Sequence, residues 1–156
     1  MSGATAGLLA LLLTPPVLLL AAAAARGRQR IRVTVDGSSM EPTLGAGQTV
    51  IAHRSTAARL RRGQVVILVK PTAPGTWRWP RPSRRPHRQA LLVKRLAALP
   101  GDPLPPGVPA PRPGVVTVPA GFAAVLGDNA ASSTDSRAFG LVPLDRIVAR
   151  LTAGSA

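Results

Sequence analysis

Short apolar runs separated by turn-forming residues fill this chain from residue 30 onward, and they restrict the folds open to it. Clusters of Gly, Pro and Asp lie between the runs, which is typical of strands joined by turns. No long stretch after residue 30 has the 3.6-residue apolar period of an amphipathic helix. The pattern predicts strands at residues 31–35, 48–52, 64–69, 90–96, 115–118, 122–126 and 146–151. We therefore expect a mainly β fold, a small barrel or folded sheet.

The first 25 residues differ from the rest. Residues 7–25 form an uncharged apolar run, close to the roughly 20 residues that a helix needs to cross a bilayer. Pro15 and Pro16 would kink such a helix, which a membrane span tolerates. A cleaved signal peptide is the alternative, but the residues before the run lack its positive charge. We predict one transmembrane helix at residues 1–25 and a separate folded domain at residues 26–156.

Positive charge dominates the chain, whose formal net charge is +14. Such a charge suits an anionic partner, either a lipid surface or nucleic acid. The chain has no tyrosine, two phenylalanines and two tryptophans, which are few for base stacking, so we expect no nucleic-acid partner. Arginines directly follow the predicted span, and by the positive-inside tendency they favour a cytoplasmic folded domain. These arginines are Arg26, Arg28, Arg30 and Arg32.

The residue content gives little support to a metal or cofactor site. The chain has no cysteine, which excludes disulfides and thiolate ligands. Two histidines, His53 and His87, and six carboxylates leave little for a zinc or paired-carboxylate site. We expect neither a metal nor a cofactor.

Two loops have a biased composition. Residues 71–89 are rich in Pro and Arg and hold both tryptophans, Trp77 and Trp79. This loop suits either an exposed insertion or contact with a membrane surface, where Trp favours the headgroup level and Arg meets anionic lipid. Residues 100–113 are proline-rich and nearly uncharged. We expect both loops to be exposed and to add nothing to the core.

Lysine is rare in this chain. Of its twenty basic residues only Lys70 and Lys94 are lysines, and lysine, unlike arginine, can lose its proton. Lys94 interrupts a predicted apolar strand, where burial would lower its pKa and allow it to act as a general base. A strand lysine can instead extend its amine to water. Lys70 lies at a loop edge, and we expect it on the surface.

Three segments carry a resemblance to a known family. The first, VDGSSMEPTLGAGQTV at residues 35–50, could by itself be an ordinary turn followed by a strand. The second is VKRLAALPGD at residues 93–102, and the third is LGDNAASSTDSRAFGLVP at residues 126–143. In this order, behind an apolar span, they resemble the type I signal peptidase family of Ser–Lys serine proteases. The resemblance covers nearly all of the chain from residue 35 onward.

The resemblance implies roles for the matching residues. Ser39 corresponds to the nucleophile, Lys94 to the general base, and Ser133 to the serine that orients the lysine amine. This arrangement gives the weakly nucleophilic hydroxyl the base it needs. Neither His53 nor His87 lies in a comparable motif, which disfavours a Ser–His–Asp site.

Other matches concern the surroundings of the site. Asp135 and Arg137 correspond to a structural ion pair beneath it. Gly37 stands where some members have a side-chain oxyanion donor, so the resemblance implies an oxyanion hole of backbone groups at Ser39 and Gly37. Phe139 replaces a frequent tryptophan. The short interval between the last two segments leaves no room for the extra domain of larger bacterial members, so the chain resembles the short Gram-positive or mitochondrial inner-membrane form.

The function implied is a membrane-anchored endopeptidase that removes signal peptides from exported precursors after small residues, in an Ala-x-Ala pattern. Its catalytic domain, residues 26–156, would lie on the extracytoplasmic side of the cell membrane, attached by a single span. One alternative is a dedicated maturation protease for one or a few clients, such as a secreted peptide or a metalloenzyme precursor. The alternative of another class is an inactive, basic, membrane-tethered binding module.

Overall fold

The computed structural model describes residues 30–77 and 91–151. Seven strands form one sheet in the order β1-β2-β7-β3-β4-β5-β6. Every neighbouring pair from β2 across the sheet to β6 is antiparallel. The strands are β1 Arg30–Thr34, β2 Thr49–Arg54, β3 Val65–Val69, β4 Leu91–Ala98, β5 Phe122–Leu126, β6 Val142–Pro143 and β7 Ile147–Leu151. The expected mainly β fold, as a folded sheet, is confirmed.

Helical structure in the described part of the chain is short. One α-helix, α1, spans Ser136–Phe139, and single 3₁₀ turns span Ala57–Arg59, Ala130–Ser132 and Leu144–Arg146. Across residues 30–77 and 91–151 no helix has the length and apolarity needed to cross a bilayer. The predicted anchor, residues 1–25, lies outside the described residues, as do Trp79 and His87.

The central strand β3 separates two hydrophobic clusters. Val65 and Ile67 pack into one cluster with Met40 and Leu44, whereas Val66 and Leu68 pack into another with Leu96. Successive residues of a strand point to opposite faces, so an uninterrupted apolar run is what a strand covered on both faces needs. In β4, which pairs with β3, Lys94, Leu96 and Ala98 are buried at every second position. The same alternation that buries Leu96 therefore buries Lys94.

Two expectations about the proline-rich region were wrong. Residues 115–118 do not form a regular strand; Thr117 makes only an isolated bridge with Pro103. Nearby prolines lack the N–H that a continuous ladder requires. The loop at residues 100–113 was expected to be exposed, but its Val108 is buried in a third cluster with Ala98, Val118, Ala124 and Leu141. Even a proline-rich loop can bury an apolar side chain against a sheet.

Candidate active site

The segment after β1 carries Ser39 in a tightly anchored turn. Gly37 has φ of +81°, a left-handed conformation that glycine adopts without strain. Met40 and Leu44 are fully buried, and the Leu44 N–H donates to the Met40 carbonyl at 2.9 Å. The buried side chains of Met40 and Leu44 thus anchor the turn in the core, while Ser39 remains partly accessible to solvent.

Lys94 reaches Ser39 from β4. Its Nζ lies 2.6 Å from Ser39 Oγ, although the two residues are 55 positions apart in the chain. Lys94 is only 3% exposed, and burial is the main cause that lowers its pKa; Asp135 opposes this shift and Arg137 adds to it. A lysine with a lowered pKa is more often neutral and can then accept the proton of a neighbouring hydroxyl.

Ser133 belongs to a hydrogen-bond group centred on Asp135. Its Oγ donates to Asp135 Oδ2 at 2.7 Å, and the Gly127 N–H donates to the same oxygen at 2.8 Å. Among the described hydrogen bonds, that of Lys94 Nζ runs to Ser39 and none joins it to Ser133. The structure thus brings Ser133 to the carboxylate of Asp135, and its role in orienting the lysine remains a prediction.

Asp135 and Arg137 form the ion pair that the resemblance implies. Arg137 Nη2 lies 2.6 Å from Asp135 Oδ2, and its Nε lies 2.9 Å from Oδ1. The guanidinium therefore binds both carboxylate oxygens. Asp135 is fully buried and Arg137 is 32% exposed. Burial raises the pKa of Asp135, but hydrogen bonds from Arg137, Gly127 and Ser133 outweigh it and lower the pKa to about 2. Asp135 is therefore a carboxylate at neutral pH.

Arg137→Ala should lower stability because it leaves the buried carboxylate of Asp135 short of partners. Losing a hydrogen-bond partner of a buried group costs about 1–3 kcal/mol, and the partial exposure of Arg137 keeps the cost below that of a fully buried pair. Denaturant unfolding measures the change. Arg112→Ala, at an exposed position, is the matched control. Wild-type stability with lost activity would instead indicate that Arg137 acts in the chemistry or in substrate binding.

Gly127 lies between Ser133 and the turn of Ser39. A Cβ built on Gly127 would come within 2.5 Å of Ser133 Cβ and 2.6 Å of the Ser39 carbonyl oxygen, closer than real contacts allow. The next turn is also tied to Ser39, because the Asn129 N–H donates to the Ser39 carbonyl at 3.1 Å. The absence of a side chain at Gly127 therefore lets the segments of Ser39 and Ser133 approach each other.

Gly127→Ala should reduce turnover strongly, because the added methyl displaces Ser133 or the backbone of Ser39. Shifts of about 1 Å in an active site can cost roughly 10²-fold in rate, while overpacking costs about 1–3 kcal/mol of stability. Gly45→Ala is the matched control, since Gly45 has open space around it and its backbone is not in the left-handed region. We expect near wild-type kinetics for Gly45→Ala. Full activity in Gly127→Ala would show that the site tolerates the methyl group.

Arg95, next to Lys94, links three parts of the chain. Its Nε and Nη2 donate to the two carboxylate oxygens of Asp128 at 2.7 and 2.6 Å. Nη1 donates to the Gly63 carbonyl at 2.7 Å and Nη2 to Thr43 Oγ1 at 3.1 Å. A planar guanidinium suits this forked geometry better than a lysine amine does. Sequence reasoning assigned no role to Arg95, Asp128 or Gly127, although all three lie within the motifs it singled out.

Ser39 and Lys94 line a cleft of about 360 Å³, which Lys70 and Phe139 also line. A smaller cavity of about 200 Å³ adjoins it between the end of β1 and residues 91–94 of β4. Lys70 is exposed, as expected, but it borders both cavities. Within residues 30–77 and 91–151 no group of His, Cys, Asp and Glu is arranged to hold a metal ion.

Comparison with known proteins identifies the class. The family model described as signal peptidase, peptidase S26, matches residues 8–104 and 109–154. A match over these residues shows a serine peptidase by family. This chain belongs to the signal peptidase family, peptidase S26, which confirms the resemblance to type I signal peptidases.

A named relative agrees with that assignment. The chain is 31% identical over 121 residues to mitochondrial inner membrane protease subunit 1 of Schizosaccharomyces pombe, and the match covers 75% of this chain and 68% of the relative. The similarity favours the short form of the family.

Proposed function

We propose that this protein is a membrane-anchored serine endopeptidase that cleaves signal peptides from exported precursors after small residues, with Ser39 as nucleophile and Lys94 as general base. The observation that carries the proposal is the 2.6 Å contact between Ser39 Oγ and the buried Lys94 Nζ. A buried amine with a lowered pKa beside an accessible serine hydroxyl is the arrangement that an activated nucleophile requires.

The reaction would proceed in two halves. Ser39 Oγ attacks the carbonyl carbon of the scissile bond while neutral Lys94 takes the hydroxyl proton. The C–N bond breaks, Lys94 Nζ gives that proton to the leaving amine, and an acyl ester remains on Ser39. Lys94 then accepts a proton from water, whose oxygen attacks the ester, and the proton passes to Ser39 Oγ as the acid product leaves. Each half returns Lys94 to its neutral form.

Two groups would support these steps. Backbone N–H groups at Ser39 and Gly37 would bind the developing oxyanion, since glycine at position 37 offers no side-chain donor. Ser133 would orient the Lys94 amine, and its link to the Asp135 carboxylate supports this by fixing the position of its oxygen. The ion pair of Asp135 with Arg137 would hold that carboxylate in turn. Through these contacts, Asp135 and Arg137 would hold Ser133 in place, and Ser133 would orient the Lys94 amine.

The precursor would bind as an extended strand beside β4. Residues 91–95 of β4 pair with β3, but pairing with β5 begins only at Arg95. Residues 91–94 therefore border the 200 Å³ cavity on their other side, and a peptide can add to such a strand edge through backbone hydrogen bonds. The small size of this cavity supports small side chains before the cut, as in Ala-x-Ala.

Cleavage of a purified precursor tests this function. The expected result is a single cut after the Ala-x-Ala sequence, with the new N-terminus identified by mass spectrometry. Replacing the last alanine before the cut with a bulky residue should block it. Cleavage of one client in a proteome-wide N-terminal comparison would favour the dedicated maturation protease. Absence of any cleavage would favour the inactive binding module.

The proposed location is the membrane, with residues 1–25 as a single span and the catalytic domain on the extracytoplasmic side. The name of the S. pombe relative, an inner membrane protease, supports membrane association. The apolar run at residues 7–25 supports an anchor, and Trp77, Trp79 and the Arg-rich loop would meet anionic lipid. Trp77 is half-buried, and its ring contacts that of Phe139 edge-on, with centroids 5.9 Å apart. Any lipid contact would use the part left exposed.

Topology is a direct test of this location, because the arginines from Arg26 to Arg32 favour the opposite orientation. Two reporters would be fused separately to Ala156, one active only outside the cytoplasm and one fluorescent only inside. We expect activity from the external reporter, since translocated cleavage sites emerge on that side. Internal fluorescence alone would exclude a general signal peptidase and leave a protease with a cytoplasmic client.

A further inference from the structure

A second groove of about 400 Å³ lies next to the cleft of Ser39 and Lys94. Its walls include Trp77, Pro109, Ala110, Phe122, Phe139 and Leu141. None of the described residues that line it carries a charge, although the chain has twenty Lys and Arg and six Asp and Glu. Its volume falls within the roughly 300–1,000 Å³ of typical ligand pockets. An uncharged groove of this size in so basic a protein suits an apolar ligand.

Packing and a backbone hydrogen bond hold one wall of the groove in place. Trp77 and Phe139 meet in a T-shaped contact, a favourable geometry for aromatic pairs, and both belong to the cluster around Leu68 and Leu96. The Gly75 N–H donates to the Phe139 carbonyl at 3.0 Å, which ties the loop before Trp77 to the end of α1. Phe122, at the start of β5, is 38% exposed. One wall is thus fixed by packing, while another offers an exposed aromatic ring.

The groove continues the cleft. Pro74, Ala138 and Phe139 line both of them. The strand-lined cavity along β4 also adjoins the cleft, through Ser39 and Lys94. The cleft therefore connects two binding surfaces of different character, a small cavity at a strand edge and a larger apolar groove.

We propose that the groove at Trp77 and Phe139 binds the residues that follow the scissile bond and selects apolar side chains there. This inference rests on the proposed function, in which the small cavity takes the residues before the cut. A peptide that crosses Ser39 must leave the cleft at another point, and the groove shares lining residues with it. A concave groove also suits an extended chain better than the flat surface of a bilayer. The first residues of the mature protein are thus its occupant.

The test uses precursor peptides that are identical up to the cut. One series carries leucine and the other aspartate, introduced one at a time at successive positions after the cut. We expect the wild-type enzyme to prefer leucine by about tenfold in kcat/KM at one or more positions, the scale on which a hydrophobic pocket discriminates. Each value is divided by that for a shortened peptide ending just after the cut, so that general differences in activity cancel.

Two charge variants sharpen the test. Ala110 is exposed on the groove wall, so Ala110→Asp and Ala110→Lys should fold normally. Ala110→Asp should favour a peptide with lysine after the cut, and Ala110→Lys one with aspartate, an inversion that a damaged fold would not produce. Val116→Asp, at a position 73% exposed and outside the groove, should keep the wild-type preference.

The outcomes separate this inference from the function on which it rests. Cleavage of all peptides without preference after the cut, or without inversion in the Ala110 variants, would overturn the inference and leave the protease intact. Failure to cleave any peptide would remove the proposed function itself. Weaker binding of Ala110→Asp to anionic vesicles, with an unchanged peptide preference, would also overturn the inference and identify the groove as a membrane contact.

Discussion

Ser39→Ala should abolish cleavage of an Ala-x-Ala precursor and leave the fold intact. The side chain is partly accessible and its Oγ contacts Lys94 Nζ at 2.6 Å, so its loss removes the only atom proposed to attack the substrate. Removing a serine nucleophile lowers kcat by a factor on the order of 10⁴–10⁶. A discontinuous assay of precursor cleavage measures the rate, and thermal unfolding confirms that the variant remains folded.

Ser38→Ala is the matched control for this experiment, because it removes the same hydroxyl one residue earlier in the same turn. No hydrogen bond of the Ser38 side chain to Lys94 is formed within the described structure, so we expect activity close to wild type. The reverse result, an inactive Ser38→Ala beside an active Ser39→Ala, would mean that the nucleophile has been assigned to the wrong serine.

Lys94→Arg should also inactivate the enzyme, by roughly the 10²–10⁴-fold that a general base contributes. Arginine keeps the positive charge but cannot lose its proton at working pH. Because Lys94 is buried, the larger guanidinium could disturb packing, so Lys94→Met provides a second, uncharged test of similar length. Both variants should be inactive, and the methionine variant should fold. Turnover by either variant would refute a mechanism that depends on the lysine amine.

The pH dependence of wild-type activity gives an independent check on Lys94. Burial lowers its pKa from the ordinary 10.5, and the neutral amine is the active form. Activity should therefore rise with pH as Lys94 loses its proton, with a midpoint below 10.5. Lys70→Arg should leave both the midpoint and the rate nearly unchanged, since Lys70 is exposed at the edge of the cleft. A pH-independent rate across this range would contradict a titrating lysine.

Much of the fold follows from local pattern. The run at residues 65–69 is apolar at every position, and the structure buries it as the central strand β3 between two clusters. The two-residue strand Val142–Pro143 was missed because it is too short to show a period. The burial of Val108 was missed for a different reason. It depends on contacts with β4, β5 and Leu141, and the sequence of the loop alone does not predict contacts with distant segments.

The candidate site could be predicted where a family motif or an unusual residue in an apolar strand marks it. Ser39 was singled out by the family motifs, and Lys94 both by those motifs and by its place in an apolar strand; the structure brings the two into contact. The fork between Arg95 and Asp128 joins residues 33 positions apart, and among eighteen arginines, twenty basic residues less two lysines, nothing in the sequence marks this one as paired. The hydrogen bond from Ser133 to Asp135 likewise depends on side-chain orientation. Spacing along the chain does not determine these contacts.

The Arg95 guanidinium has a consequence for how the enzyme loses activity. It bonds to the turn after Ser39 through Thr43, to the turn before β3 through Gly63, and to the segment after β5 through Asp128. We expect these segments to open as one cooperative unit, because separating any of them from β4 breaks hydrogen bonds of this one guanidinium. Activity and circular dichroism should therefore disappear at the same denaturant concentration, with no populated species that keeps its sheet but has lost its catalytic geometry.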